Sequence, residues 1–246
     1  MRINCDFIAV MNSFDLKGKK ILITGASRGI GAATARAFGA LGAHVILTAR
    51  TIGGLEEVHD DICHNGGQAT IIPLDLKDHR QIDSLGPNLY ERFGDLDIFI
   101  ANAGILGALE PLAHMEASQW DNIIAVNLSA NFRLIRTLDP LLKAAKSARA
   151  LFVTSGVTQM DTPAYWGAYL SSKAGLEGLV KVYAAECRDS NVAVHLFDPG
   201  MVETRMLRQA FPGADSAELS SPQEIAGKLV QICQKAPDPN VLRLVA

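Results

Sequence analysis

Short apolar runs typical of buried strands alternate with amphipathic helical segments from about residue 19 to the end of the chain. The predicted strands cover residues 19–24, 44–48, 69–73, 96–101, 150–154, 192–197 and 241–245. The predicted helices cover residues 29–41, 55–64, 78–92, 118–145, 167–188 and 222–234, the fourth with a break near Asn127. Because parallel strands are joined by right-handed helical crossovers, this pattern predicts an α/β fold. We expect one doubly wound domain, with a parallel seven-stranded sheet and helices on both faces.

The ends of this pattern set the expected domain limits. Residues 1–15 show no such period and are interpreted as a loosely ordered N-terminal extension, whereas residues 16–246 form a single domain. Residues 200–221 also lack a clear period, and we expect a mobile segment there. Doubly wound sheets bind ligands at the carboxyl ends of their strands, so candidate site residues are those that follow each strand.

Charge, hydropathy and cysteine spacing exclude several classes of protein. The 23 lysines and arginines against 26 acidic residues leave a net charge of -3 with no basic block, so no nucleic-acid partner is expected. No apolar run reaches the roughly 18 residues of a membrane span, so no membrane partner is expected. The four cysteines form no C-x-x-C pair, which favours reduced thiols in a cytoplasmic protein over disulfides or a metal site.

A glycine-rich loop, T-G-x-x-x-G-x-G, follows the first predicted strand and opens a helix. Glycines let the backbone approach a pyrophosphate, and the helix N-terminus offers it free N–H groups. The candidate dinucleotide-binding residues of this loop are Gly25, Ser27, Arg28, Gly29, Ile30 and Gly31. The same loop matches G-x-S-x-G, the nucleophile elbow of hydrolases, with Ser27 as nucleophile. That elbow normally follows a mid-sheet strand, and the last histidine, His195, lies within a predicted strand, which makes a hydrolase the weaker interpretation.

The end of the second strand indicates which dinucleotide is bound. A free ribose 2′-hydroxyl usually meets an acidic residue about 20 residues beyond the glycine loop. No acidic residue lies between Ala32 and Leu55, and Arg50 ends the second strand. An arginine fork suits a 2′-phosphate, and Arg28 could join it. We therefore expect NADP(H) to be preferred, with NAD(H) possible.

Tyr169 and Lys173 stand four residues apart on one predicted helix face. An ammonium beside a phenol favours the phenolate, so we expect Lys173 to lower the pKa of Tyr169 for acid–base work on a carbonyl oxygen. Ser155 follows the fifth strand, where its hydroxyl could hold that oxygen against Tyr169.

These features together resemble the short-chain dehydrogenase/reductase family over residues 16–246. The motifs that carry the resemblance are the glycine loop at 24–31, Asp75, Ala101-Asn102-Ala103-Gly104, Asn127 in V-N-L, Ser155, Tyr169-x-x-x-Lys173 and Pro199-Gly200. The resemblance implies a Rossmann-type fold in which the single domain binds a dinucleotide and carries the catalytic residues. It also implies hydride transfer between a nicotinamide and a carbonyl or secondary alcohol.

The resemblance implies a role for each matching residue. Tyr169 would be the general acid or base, Lys173 would hold the nicotinamide ribose, and Ser155 would polarise the substrate oxygen. Asn127 would hold a water that links Lys173 to solvent. The implied cofactor contacts outside the glycine loop are Asp75 and Leu76 at the adenine, Asn102, Ala103 and Gly104 along the cleft, and Pro199, Gly200, Val202 and Thr204 at the nicotinamide end.

Two positions depart from the family pattern. Ala101 replaces the first asparagine of N-N-A-G, which should weaken support between strands. Ser155 stands 14 positions before Tyr169 where 13 is usual, and the usual position holds Gly156. We infer a loop one residue longer, with Thr154 as the fallback for the serine role.

The alternative function is a nucleotide-sensing protein of the same fold that has lost catalysis. The substrate is expected to be hydrophobic or mixed, because the residues around 203–220, Ile105, Met160 and Trp166 are largely apolar. We also expect a homo-oligomer, a dimer or tetramer, that pairs through helices 118–145 and 167–188. The outer face of the second helix would carry Leu170, Ala174 and Gly178.

Overall fold

The computed structural model describes residues 15–161, 164–236 and 242–246. The predicted extension therefore lies outside the described residues except for Asp15. The strands are β1 (Lys20–Thr24), β2 (His44–Ala49), β3 (Gln68–Pro73), β4 (Ile98–Ala101), β5 (Ala148–Val153), β6 (Val192–Asp198) and β7 (Arg243–Val245). The α-helices are α1 (Gly29–Ala40), α2 (Ile52–His64), α3 (His79–Phe93), α4 (Ala117–Ile124), α5 (Ala130–Ala144), α6 (Gly167–Glu186), α7 (Arg205–Ala210) and α8 (Pro222–Gln234).

All seven strands pair in parallel in the order β3-β2-β1-β4-β5-β6-β7. This confirms the predicted doubly wound α/β fold. The strand order reverses between β1 and β4, and the crevice at such a switch point is where these sheets bind ligands. The glycine loop follows β1 and the Asn102 motif follows β4, so both lie at this crevice.

The core has one apolar layer on each face of the sheet, because alternate strand residues point to opposite faces. Leu22 packs with residues of α3, α5 and α6, such as Leu134 and Leu176. Its neighbours Ile21 and Ile23 pack on the other face with residues of α1, α2 and α8, such as Phe38. The two layers hold the strand ends, and therefore the site, in a rigid frame.

The expected break near Asn127 is confirmed. A π-helical turn over Ala125–Ser129 separates α4 from α5. Such π turns open the regular ladder of backbone hydrogen bonds, and they are common at functional sites.

Two parts of the predicted secondary structure differ from the observed one. The segment 200–221 contains α7, whose N-cap Thr204 accepts a hydrogen bond of 3.2 Å from Leu207 N. This helix has six residues, too few to show a helical period in the sequence. Helix α2 begins at Ile52 rather than 55, and Gly54 in its first turn packs against the glycine loop, since a Cβ there would lie 2.9 Å from the Ser27 oxygen. Within the described residues, no helix is long and apolar enough to cross a membrane.

Candidate active site

The glycine loop forms a close-packed cradle at the end of β1. Gly25 and Gly29 have φ angles of +67° and +55°, which favour glycine. A Cβ on Gly31 would lie 2.3 Å from the Gly25 oxygen, so only glycine fits there. Ser27, Arg28 and Ile30 are at least partly exposed around this turn, where the first N–H groups of α1 have no helical partner. The residues present therefore fit a dinucleotide pyrophosphate.

Direct hydrogen bonds join this loop to the segment after β4. The Thr24 hydroxyl accepts from the backbone N–H groups of Asn102 and Ala103 at 3.1 and 3.0 Å. The Asn102 side chain donates to the Thr24 carbonyl at 2.9 Å. Ala101 is buried at the end of β4, so these bonds support the two loops without an asparagine at that position.

Arg50 shares a cavity of about 320 Å³ with a cation that the sequence analysis missed, Lys77. Lys77 Nζ lies 3.4 Å from Asn122 Oδ1 on α4, across the cavity from the strand ends. The adjacent Asp75 accepts a hydrogen bond from Lys77 N at 3.0 Å, and Leu76 is buried in the core. The signal that could have identified Lys77 is its place two residues after Asp75.

The predicted nicotinamide-end residues follow β6. Pro199 leads into Gly200, whose φ is +67° and whose N–H donates to Asp198 Oδ1 at 3.1 Å. Val202 is buried and forms a bridge with Ser220. A Cβ on Gly29 would lie 3.6 Å from Thr204 Cγ2, so this segment reaches back to the glycine loop.

Tyr169 and Ser155 meet at the carboxyl edge of the sheet. Tyr169 is 8% exposed, and the Ser155 side chain lies close enough to its hydroxyl to lower the pKa of that group. The loop after β5 therefore brings Ser155, rather than a residue 13 positions away, to the tyrosine. Ser155 is also the N-cap of the 3₁₀ turn Gly156–Gln159.

Burial raises the pKa of Tyr169 above its ordinary value of 10; the nearby Ser155 side chain lowers it, and the charge of Asp198 raises it further. The expectation of a lowered pKa is therefore wrong for this structure. The tyrosine stays protonated at neutral pH, as a general acid must be.

Lys173 is buried one turn beyond Tyr169. Its Nζ donates to the Val153 carbonyl at 2.8 Å and lies 5.9 Å from the centre of the Tyr169 ring. Burial lowers the pKa of Lys173 from 10.5 to about 8, against the opposing charge of Glu177. An amine with this pKa can release and regain a proton close to neutral pH.

Asn127 is fully buried in the π turn. Its side chain exchanges hydrogen bonds of 2.9 Å with the backbone N–H and C=O of Ile105, and it donates to Ser172 Oγ at 3.0 Å. A Cβ on Gly104 would lie 3.4 Å from Asn127 Oδ1 and 3.7 Å from Lys173 Nζ. The side chain thus fixes the segment after β4 beside the lysine.

Two further aromatic side chains pack in sequence next to Tyr169. The Trp166 ring centre lies 5.8 Å from that of Tyr169 and 5.7 Å from that of Phe211, which follows α7. Gln209 Nε2 on α7 donates to the Gly107 carbonyl at 2.9 Å, and this bond joins α7 to the segment between β4 and α4. One expectation is corrected: Leu170 packs in the cluster with Tyr169 and Trp166 rather than on an outer face. Ile105 lines the cavity with Arg50.

The strand order argues against the Ser27 hydrolase. Ser27 follows β1, whereas His195 lies in β6, three strands away along the sheet. At about 4.8 Å between strands, the separation is roughly 14 Å, too far for a nucleophile–base hydrogen bond. The fold and the site instead define a dinucleotide-binding enzyme in which a half-buried serine lies beside a buried tyrosine and lysine.

Comparisons with known proteins agree with this class. The short chain dehydrogenase family model matches residues 19–215. The 3-oxoacyl-[acyl-carrier-protein] reductase FabG of Salmonella typhimurium is 36% identical over 192 residues, which cover 78% of this chain and 77% of the relative.

Solved structures show the same likeness. A short chain dehydrogenase from Salmonella enterica serovar Typhi has a TM-score of 0.88 and 30% identity, with coverage of 94% of this chain and 97% of the other. A metagenomic short-chain oxidoreductase in complex with NADP has a TM-score of 0.81 and 33% identity, with coverage of 95% and 98%. The chain belongs to the short-chain dehydrogenase/reductase family. It is an oxidoreductase that acts on C=O and CH–OH groups with a nicotinamide cofactor.

Proposed function

We propose that this enzyme reduces a carbonyl group with NADPH and that Tyr169 is its general acid. The observation that carries the proposal is the placement of the Ser155 side chain beside the buried Tyr169 hydroxyl, with Lys173 buried one turn away. The raised pKa of Tyr169 supports the reductive direction, because the hydroxyl then holds the proton that the product alcohol requires.

Each residue has a distinct part in this proposal. NADPH bound in the cleft would be the source of the hydride for the carbonyl carbon. Ser155 donates a hydrogen bond that holds and polarises the carbonyl oxygen, and Tyr169 transfers its proton to that oxygen. The resulting phenolate regains a proton from Lys173. Because this lysine has a pKa of about 8, it can be reprotonated from solvent at neutral pH.

Asn127 completes the proposed proton path. Its backbone carbonyl accepts from Asn131 Nδ2 at 2.8 Å. A carbonyl oxygen has two lone pairs, so a second one can bind a water between Lys173 and solvent. The hydrogen bonds that the Asn127 side chain makes to Ile105 and Ser172 hold the backbone in place for this contact.

The preference for NADP(H) is proposed from charge. Arg50 and Lys77 line one cavity at the ends of β2 and β3, and Arg28 is exposed beside the glycine loop. Two cations facing one cavity suit a 2′-phosphate, which a free ribose hydroxyl does not need. The NADP in the metagenomic relative supports the same preference.

For the substrate we propose a carbonyl compound with an apolar substituent. The aromatic rings of Trp166 and Phe211 beside Tyr169 support an apolar contact next to the reacting oxygen.

We also propose a homo-oligomer. Its support is the exposed face of α6, where Ala174, Gly178 and Val182 are small or apolar, and Val182 is 58% exposed.

Tyr169→Phe tests the proposal. The change removes one hydroxyl and leaves the ring, so NADPH should bind within a few-fold of wild type. Turnover of a carbonyl panel that includes ethyl acetoacetate should fall by about a hundredfold to ten-thousandfold, the usual share of general acid catalysis. The readout is the loss of reduced-nicotinamide absorbance.

Tyr183→Phe is the matched control, because it removes a second buried hydroxyl of α6, which donates to Asp139 at 3.0 Å. It should lose stability but keep normal turnover. A folded Tyr169→Phe variant with normal turnover would refute the assignment. A wild-type protein that binds NADPH but reduces nothing in the panel would instead indicate the nucleotide-sensing alternative.

A further inference from the structure

A buried group of charges lies directly behind the Ser155–Tyr169 pair. Glu177, on α6 one turn after Lys173, accepts hydrogen bonds from Thr154 at 2.6 Å, Thr158 at 2.7 Å and Arg243 at 2.8 Å. The Glu177 side chain is 10% exposed and that of Arg243 is 24% exposed. Four separate elements therefore meet at one carboxylate.

The two threonines are the immediate supports of the Ser155 loop. Thr154 precedes Ser155, and Thr158 lies in the 3₁₀ turn that Ser155 caps. The Thr158 hydroxyl also lies 2.9 Å from the Ser155 carbonyl, and its single hydrogen serves one acceptor at a time. Glu177 thus fixes both sides of the loop that presents the Ser155 hydroxyl.

The second carboxylate, Asp198, supports the nicotinamide-end loop. Its Oδ2 accepts from Arg243 at 2.7 Å, and its Oδ1 accepts from the Gly200 N–H at 3.1 Å. A Cβ on Gly156 would lie 3.7 Å from Asp198 Oδ2, so the Ser155 loop also packs against this carboxylate. The two loops therefore share one electrostatic support.

Arg243 is the group that joins the two carboxylates. It lies at the start of β7, and its two terminal nitrogens bond one carboxylate each. A planar guanidinium can make both bonds in one fixed geometry, whereas a lysine is a single point charge.

We propose that Arg243 is a positioning residue. By bridging Glu177 and Asp198, it orients the Ser155 loop and the nicotinamide-end loop that contains Gly200. This inference rests on the proposed function, because it concerns the placement of Ser155 beside Tyr169. It adds a functional role for the C-terminal strand, which supplies no predicted contact to substrate or cofactor.

Because charged groups surround the site, loss of Arg243 should change the pH dependence of turnover as well as the stability of the protein. Tyr169 is influenced by the charge of Asp198, Lys173 by the charge of Glu177, and Arg243 balances both carboxylates. Removal of the guanidinium leaves those two negative charges unbalanced, which raises the pKa of both Tyr169 and Lys173. The pH profile of turnover should then move to higher pH.

The experiment compares Arg243→Met and Arg243→Lys with Arg149→Met. Arg149 is a buried arginine of the same sheet, and it donates to the carbonyls of Ile232 and Lys235 near the amino end of β5. Its removal therefore breaks two hydrogen bonds, as removal of Arg243 does, but away from the strand ends that form the site. The enzyme is assayed with NADPH and ethyl acetoacetate, or with the panel member that wild type reduces fastest, and thermal unfolding is recorded for each variant.

Arg243→Met should lower kcat by about tenfold to a hundredfold, since a misplacement of about 1 Å at a reacting group has effects of this size. Its pH profile should shift upward. Arg243→Lys keeps the charge but cannot bridge both carboxylates, so it should lose kcat with the wild-type pH profile. Arg149→Met should lose thermal stability and keep both kcat and the pH profile.

A folded Arg243→Met variant with the kcat and pH profile of wild type would overturn the proposal, as would an equal loss of kcat in Arg149→Met. If Arg243→Met does not fold, Arg243→Lys decides, and unchanged kcat in that variant would overturn the proposal. Tyr169→Phe in the same assay separates the two hypotheses. Normal turnover there refutes the catalytic assignment, whereas loss of turnover there, with normal Arg243 variants, refutes only the positioning role.

Discussion

Lys173→Met should stabilise the cofactor-free protein at neutral pH although it abolishes the proposed proton path. The lysine is buried, and its pKa falls from 10.5 to about 8. Each tenfold change in acidity is worth about 1.4 kcal/mol, so holding the ammonium in the folded protein costs about 3 kcal/mol. Methionine is unbranched and adaptable enough to fill the same space.

The hydrogen bond lost in the substitution offsets part of this gain. Lys173 Nζ donates to the Val153 carbonyl at 2.8 Å, and an unsatisfied buried acceptor costs about 1–3 kcal/mol. The expected net stabilisation at neutral pH is about 0–2 kcal/mol by this reckoning. For a domain of this size, the melting temperature should rise by up to about 8 °C.

The pH dependence follows from the sign of the shift. The folded pKa of about 8 lies below the unfolded value of 10.5, so the unfolded chain binds more protons between these values. Wild-type stability therefore rises with pH across this window, while the full cost is present below it. The advantage of Lys173→Met should shrink above about pH 8 and reverse by about pH 10.5, where only the lost hydrogen bond remains.

Urea unfolding without cofactor, followed by tryptophan fluorescence at about pH 7 and about pH 10, measures this difference. Lys181→Met is the matched control, because it removes an exposed lysine from the same helix. It should change stability by less than about 0.5 kcal/mol at either pH. A Lys173→Met variant that is less stable than wild type at pH 7, or a difference that does not vary with pH, would refute the reasoning.

Three further predictions concern the cofactor and the assembly. Arg50→Ala should weaken NADPH binding by about tenfold to a hundredfold, the effect of losing a charge-assisted bond. NADH binding should not change. Arg36→Ala, which removes a half-buried arginine of α1, should alter the binding of neither cofactor in a fluorescence titration. Gly31→Ala should lose NADPH binding and about 1–3 kcal/mol of stability, because its Cβ would lie 2.3 Å from a backbone oxygen. Gly227→Ala, on α8 with open space at its Cβ, should unfold no more easily than wild type. Light scattering at micromolar concentration should show a dimer or tetramer that Val182→Glu dissociates, and a wild-type monomer would contradict the proposed oligomer.

Local sequence patterns were sufficient for the architecture and for much of the candidate site. Strand and helix periods reflect which residues face a core, so the parallel sheet was predictable. The glycine loop was predictable because backbone approach needs glycines at a fixed spacing, and Gly31 shows this need directly. Tyr169 and Lys173 were predictable because residues four apart share a helix face.

Only the tertiary structure decided the electrostatics of the site. The pKa of Tyr169 depends on burial and on Asp198, and the sequence spacing to Lys173 alone predicted the wrong direction. Arg243 bonds Glu177 and Asp198 across 66 and 45 positions of the chain, and Lys77 meets Asn122 across 45. No local period records such contacts, because they exist only when the sheet order places β5, β6 and β7 side by side and brings α4 over the strand ends. The chemistry-bearing residues can therefore be named from the sequence, but their protonation and mutual support depend on packing.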